Sequence, residues 1–325
     1  MNGDDDTLAL ILKEGMEMLV GRRQALMALA GLAVTPLSVF ADRKPITDRM
    51  TFGFSTYGMK TLTLERALDV ISEIGFESVE ICVRPEWDSA PAKMSKERRG
   101  EIRKRLNQSG LKLTALMEHL PPATSEAEHK QQLERLRGVY ELANDLGGGQ
   151  PPLMQTVLGD GEWEAKKNFL RDRVGEWVKL SEQHGVVTCI KPHRGGGMSK
   201  PSDAVWIIQQ LGTPRWLKFV YDYSHYVFRD IPLLESLQES LPHVAHVAVK
   251  DTVQKDGKIS FELPGAAKTI DFATIFKTLH AGGYRGDISC EVSGLLWNKP
   301  DYEPIAAAKT CYTNLKDVFH VSVRS

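Results

Sequence analysis

Lys191 stands where chemistry would begin. An apolar run, Gly185–Ile190, leads into it, and Pro192, His193, Arg194 and three glycines follow. Strand alternation puts Cys189, Lys191 and His193 on one face and Thr188 and Ile190 on the other. Pro192 keeps Lys191 extended. A lysine facing the inside of a sheet is costly unless a carboxylate pairs with it. Candidate carboxylates end other apolar runs: Glu80, Glu118, Asp222 and Glu291. Lys250, His193 and His225 lie at comparable positions, and His246 shares the parity of Ala248 and Lys250. An ammonium held between carboxylates stays charged and is a poor Schiff-base nucleophile. It is a good partner for a developing oxyanion. A nearby carboxylate, Glu291, could then move a proton.

The elements that must bring these residues together are short apolar runs alternating with amphipathic stretches. Strands are expected over 51–56, 77–83, 111–117, 152–157, 185–190, 217–222, 244–249 and 286–291. Helices are expected over 64–74, 95–108, 125–146, 163–183, 201–211, 231–241, 271–281 and 301–318. The segment Thr252–Lys268 reads as a loop. Eight strand–helix units of this kind predict an α/β protein, a single-domain (β/α)8 TIM barrel. Such barrels carry chemistry at the C-terminal ends of their strands, where the residues named above stand.

Alternatives stand beside several of these readings. Asp222 could cap the following loop. Glu118 or His119 could face the helices. Lys250 could be a surface lysine beside Asp251. His193 and His225 could be loop histidines. Trp297 could stack on a sugar or simply pack.

Composition removes other classes. The 325 residues carry a formal net charge of −1, so no basic surplus points to nucleic acid. Nothing after residue 45 is apolar enough for long enough to span a bilayer. The four cysteines, Cys82, Cys189, Cys290 and Cys311, form no CxxC pair and read as buried free thiols. Arg22-Arg23 precede an apolar run, Ala25–Val34, and then Val39-Phe40-Ala41. This order predicts a twin-arginine signal segment over 1–41 and a mature barrel domain over 42–325, exported to the periplasm. Met1 and Met18 are both open as start residues. The oligomeric state is not readable.

Four stretches in this order resemble the xylose isomerase-like barrel family of sugar and sugar-phosphate isomerases and epimerases. They are Gly75-Phe76-Glu77-Ser78-Val79-Glu80, Tyr221-Asp222-Tyr223-Ser224-His225, His246-Val247-Ala248-Val249-Lys250-Asp251 and Gly286-Asp287-Ile288-Ser289-Cys290-Glu291. The resemblance covers about residues 50–318. It implies a divalent metal on a glutamate, an aspartate, a histidine and a second glutamate from the fifth to eighth strands. Asp222 and Glu291 match two of these. The first glutamate falls on Lys191 and the histidine on Ala248. The expected protein is therefore an exported isomerase or epimerase for a keto-sugar or related small carbohydrate. Lys191 replaces the metal, and Lys191, Asp222 and Glu291 are catalytic. His193, His225, Glu80, Glu118, Lys250 and Trp297 are the substrate-binding candidates. No cofactor is expected. The alternative is a manganese, magnesium or zinc ion on Asp222 and Glu291 with His193 or His246. A lysine-dependent lyase or aldolase, and a non-catalytic carbohydrate-binding barrel, are the competing functions.

Overall fold

Alternation decides which side chains fill the barrel and which meet the helices. In the computed structural model, which describes residues 49–324, eight strands follow the expected rhythm. They are β1 (Thr51–Ser55), β2 (Ser78–Cys82), β3 (Lys112–Met117), β4 (Leu153–Thr156), β5 (Thr188–Ile190), β6 (Leu217–Tyr221), β7 (Val244–Val249) and β10 (Asp287–Cys290). They close in the order β1–β2–β3–β4–β5–β6–β7–β10, every pairing parallel. The signal segment expected over 1–41 lies outside the described residues. Among the described residues, no helix is long and apolar enough to cross a membrane.

Helices follow the strands because each amphipathic stretch carries its own stops. The first, α1 (Leu64–Ile74), starts where the Thr63 side chain accepts from the Arg66 amide. It ends at Gly75, whose φ of 107° is a region that β-carbons avoid. Its buried face, Leu64, Ala67, Leu68, Val70 and Ile71, packs on the barrel exterior. The helices α2 (Lys96–Ser109), α3 (Glu126–Gly147), α4 (Trp163–His184), α5 (Pro201–Gln210), α6 (Leu233–Ser240) and α7 (Phe272–Ala281) continue the ring. A short turn, α8 (Gly294–Trp297), follows β10, and α9 (Pro304–Arg324) ends the described chain.

Two expectations needed correction. The strand read as Gly185–Ile190 is only Thr188–Ile190, because Gly185, with φ of 66°, caps the preceding helix. The segment read as a loop over Thr252–Lys268 contains a hairpin, β8 (Asp251–Lys255) and β9 (Lys258–Glu262). Asp256 and Gly257 turn it, both with positive φ, in the manner of an Asp-Gly two-residue hairpin turn.

Inside the barrel, one sector is apolar: Ala115, Leu153, Cys189, Val220 and Ala248 touch one another. The sector built by β1, β2 and β10 is small and polar instead. Gly53 leaves room there: a β-carbon on it would come within 2.5 Å of the Ser78 hydroxyl and 2.7 Å of the Asp287 carboxylate.

Candidate active site

Four charged side chains meet at the barrel mouth. Each stands one residue past its strand: Lys191 after β5, Asp222 after β6, Lys250 after β7 and Glu291 after β10. Backbone bonds extend the ladder to them. The Lys191 amide donates to Thr156 (2.9 Å) and the Glu291 amide to Val249 (3.0 Å). Parity turns all four inward, above Cys189, Val220, Ala248 and Ser289.

They form a closed ring of alternating charge. Lys191 Nζ lies 2.8 Å from Asp222 Oδ2 and 2.7 Å from Glu291 Oε2. Lys250 Nζ lies 2.5 Å from Asp222 Oδ2 and 2.7 Å from Glu291 Oε1. Two cations balance two anions, which is what burial demands. The four are 3 %, 1 %, 1 % and 6 % exposed in the order Lys191, Lys250, Asp222, Glu291, so Glu291 is the most accessible. Burial alone would depress the Lys191 pKa, but the charges of Asp222 and Glu291 and their hydrogen bonds raise it above its ordinary value. Burial likewise pushes both carboxyls up, and the two ammoniums outweigh it. Asp222 is held well below the usual carboxylate range and Glu291 below its ordinary value.

The anions differ in how full they are. Asp222 Oδ1 accepts from Ser224 (2.5 Å), and Oδ2 meets both lysines with His225 Nε2 at 3.4 Å. Each Glu291 oxygen takes one ammonium. A carboxylate oxygen can accept more than one hydrogen bond, so Glu291 keeps capacity that Asp222 has used.

Two histidines and a phenylalanine cover the ring. His193 and His225 lie 4.2 Å apart, and Phe261 of the hairpin meets His225 at 5.2 Å. Phe261 also lies 5.3 Å from the Lys250 ammonium. The Arg194 amide donates to His225 Nδ1 (3.3 Å), which leaves the proton of the neutral ring on Nε2, facing Asp222. Burial and then the Lys250 charge hold His225 well below its ordinary pKa. Burial and then the Lys191 charge push His193 down to about 3.

Among the described residues, one set of three metal-donor side chains has its ligand atoms within 4.8 Å: Asp222, His225 and Glu291. His225 therefore takes the place expected for His193 or His246. His193 packs against it with the two rings tilted by 44°, and His246 lies deeper in the barrel.

That deeper layer also holds Glu80, which is fully buried rather than at the rim. Its Oε2 lies 2.9 Å from His246 Nε2 and accepts from Gln155 (2.9 Å). Asp287 sits in the same polar sector. It accepts from Ser78 (2.5 Å), Thr114 (3.0 Å) and Thr51 (3.3 Å). Burial nevertheless pushes its carboxyl up to about 6. A folded-state pKa above the unfolded one makes stability fall as pH rises between about 4 and 6, by on the order of 3 kcal/mol. Asp287→Asn should abolish that fall. Urea unfolding at pH 4 and pH 7 would show the variant gaining about 3 kcal/mol on wild type across the interval.

The remaining candidates fall apart from the ring. Glu118 is buried and engaged by Arg135 of α3, with Nε donating at 3.0 Å. Trp297 joins Tyr57 and Trp87 in an aromatic cluster. Tyr57, Trp87 and Phe261 were not singled out in the sequence. Tyr57 and Trp87 follow the first two strands and were open to the strand-end rule; Phe261 was hidden in the unread hairpin.

Comparisons with known proteins place this architecture. The family profile described as "Xylose isomerase-like TIM barrel" matches residues 68–309. A putative hydroxypyruvate isomerase of Mus musculus is 31 % identical over 107 residues, 31 % of this chain and 36 % of that protein. The chain thus aligns with about a third of that relative's length. An inosose dehydratase of Geobacillus thermodenitrificans is 23 % identical over 246 residues, 69 % of this chain and 80 % of that protein. Among solved structures, an IOLI protein with a bound zinc atom superposes with a TM-score of 0.70 at 18 % identity, covering 84 % of this chain and 99 % of that one. An L-ribulose 3-epimerase superposes with a TM-score of 0.67 at 17 % identity, covering 85 % and 96 %.

Proposed function

We propose that this chain, which belongs to the xylose isomerase-like TIM barrel family, is an isomerase or epimerase of a keto-sugar or related carbohydrate, working by proton transfer next to a carbonyl. The observation that carries the reading is the ring Lys191–Asp222–Lys250–Glu291 at the barrel mouth. Glu291 is the base and the Lys191 ammonium the electrophile. The names of the relatives, an isomerase, a dehydratase and an epimerase, agree with chemistry next to a carbonyl.

The ring explains how a weak base could act. Two ammoniums make Glu291 a poor proton acceptor at rest. A carbonyl oxygen that draws the Lys191 hydrogen bond takes one cation away from Glu291. Its proton affinity then rises as the adjacent C–H becomes acidic. The same ammonium stabilises the enediolate oxygen that forms. Its raised pKa keeps it protonated, which opposes the lyase reading through a neutral amine.

A divalent ion fits this residue set poorly. Asp222, His225 and Glu291 offer donors in the right neighbourhood. However, both Glu291 oxygens and Asp222 Oδ2 already face ammoniums at 2.5–2.8 Å. A dication there would sit against two like charges in a dry site. We therefore assign no step to a metal.

The test is hydrogen exchange in heavy water with a panel of aldoses, ketoses and cyclic keto-polyols. Deuterium should enter at the carbon beside the carbonyl, EDTA should not change the rate, and borohydride should trap no adduct on Lys191. Exchange that vanishes with EDTA and returns with manganese, magnesium or zinc would overturn the metal-free reading. A borohydride-stable adduct on Lys191 would move the protein to the lyases.

A further inference from the structure

The two lysines of the ring are not equivalent. Phe261 lies 5.2 Å from the His225 ring and 5.3 Å from the Lys250 ammonium, so Lys250 stands on the His225 side. After burial, the Lys250 charge is the largest influence on His225, ahead of Asp222. Lys191 acts instead on Tyr57, which the Glu291 charge also reaches, and it outweighs Lys250 at His193. Lys250 and Asp222, each 1 % exposed, form the closed edge of the ring. Lys191 and Glu291, at 3 % and 6 %, form the open one.

The closed edge coincides with the metal-type donor set. The ligand atoms of Asp222, His225 and Glu291 lie within 4.8 Å of one another. Lys250 Nζ bonds two of these residues, Asp222 Oδ2 at 2.5 Å and Glu291 Oε1 at 2.7 Å. His225 Nε2 reaches the same Asp222 oxygen at 3.4 Å. A cation drawn by the three residues would seek the space that the Lys250 ammonium fills. Two cations cannot share that space in a dry site. The family resemblance puts a further donor at Ala248, two residues before Lys250 on the same strand face, and a methyl group offers none. The donor set and its contents therefore disagree: the residues that would draw an ion already hold one, tethered to the end of β7.

We propose that the Lys250 ammonium is the resident cation of the Asp222–His225–Glu291 set, a positioning residue that keeps a divalent ion out and holds Glu291 by Oε1 through turnover. The Lys191 ammonium and Glu291 Oε2 are then the pair left to meet a substrate. Only this last consequence rests on the isomerase or epimerase reading. The cation position stands on the geometry of the ring.

Manganese titration of the full chain, followed by electron paramagnetic resonance of the free ion, tests the assignment without a substrate. Wild type and Lys250→Arg should leave the free-ion signal unchanged at equimolar manganese, because each keeps a cation in place. Lys250→Met removes the charge and nearly keeps the volume. It should bind manganese at least about tenfold more tightly than wild type, and its melting temperature should rise with the ion. Lys191→Met leaves Lys250 in place and should show no such gain. Coordination by His225 Nε2 requires its proton to move to Nδ1, with loss of the 3.3 Å bond from the Arg194 amide. The gained site is therefore weaker than one built for metal, and adding Asp222→Asn to Lys250→Met should abolish it. If Lys250→Met fails to fold, Lys250→Gln gives the same readout. Manganese held by wild type at these residues, an equal gain in Lys191→Met, a gain that survives Asp222→Asn, or no gain in a folded neutral Lys250 variant would overturn the proposal. The two readings fail separately. Manganese uptake as expected, without exchange of any substrate in heavy water, would sink the isomerase or epimerase reading and leave the cation assignment. Exchange with no manganese gain in the neutral Lys250 variants would do the reverse.

Discussion

Lys191→Met is expected to lower turnover by two to three orders of magnitude, the usual loss when a donor to a developing oxyanion is removed, about 3–4 kcal/mol. The charge count explains why more than a hydrogen bond goes. The ring as it stands holds two cations and two anions. Without Lys191, Asp222 and Glu291 share only Lys250. One carboxyl should then take up a proton, and Glu291 is the one with fewer other donors. Its pKa, now below the ordinary value, should rise, because burial is the largest influence on it and half of the opposing charge is gone. The pH–rate profile of the residual activity should therefore shift its lower limb upward. Lys191→Arg keeps the charge but brings a larger, planar head, so partial activity is expected. Steady-state rates and pH profiles of the three proteins, alongside thermal melts, check the prediction. A Met variant with full turnover and an unshifted profile would remove Lys191 from the chemistry.

How much of this was legible depended on the kind of residue. Asp222, Lys191 and Glu291 each end an apolar strand, and a barrel leaves one inward direction for that parity. Their convergence could be read from strand ends alone. Lys250 obeys the same parity, but a lysine beside an aspartate also reads as surface, and only the fold showed both carboxylates within reach of it. Glu80 was legible as inward-facing but not in depth. The β2–β3 register shifts between Val79 and Glu80, and such an irregularity leaves no clear trace in one sequence. It lies beneath the ring with His246 rather than at the rim. His225 is placed by a 3-10 turn, Tyr223–His225, that strand alternation does not describe. The hairpin was legible and missed: Asp256-Gly257 between alternating residues is a strong turn signal. With it went Phe261, which covers His225 and Lys250.

The other large effect should appear in stability. His246→Leu is expected to cost about 3–5 kcal/mol at pH 7, since removing one partner of a buried ion pair leaves the other uncompensated. Glu80 and His246 are both fully buried, 2.9 Å apart, in the barrel interior. Burial would push Glu80 up and His246 down. Their mutual charge reverses both directions, with Glu80 lowered and His246 raised. The lowered carboxyl contributes stability above its unfolded pKa, and that is lost as pH falls through the folded value. The raised imidazole contributes below its unfolded pKa, and that is lost as pH rises through the folded value. Both contributions are complete only between about pH 4.3 and pH 6.5. In His246→Leu the sign for Glu80 inverts. It keeps Gln155 at 2.9 Å but no cation, so its pKa should rise and the variant should lose stability as pH climbs above about 4.3. Unfolding at pH 4.5 should therefore show a smaller deficit than at pH 7. The double variant Glu80→Met/His246→Leu removes both charges and should recover most of the loss, because well-packed apolar replacements of a buried pair are often neutral. A single variant within about 1 kcal/mol of wild type at pH 7, with no pH dependence of the difference, would mean that the pair is not ionised in the folded barrel. Against a typical total stability of about 5–15 kcal/mol, the expected loss would leave the barrel marginal. The deep polar layer would then be a requirement for a folded mouth, independent of whether Glu80 ever meets a substrate.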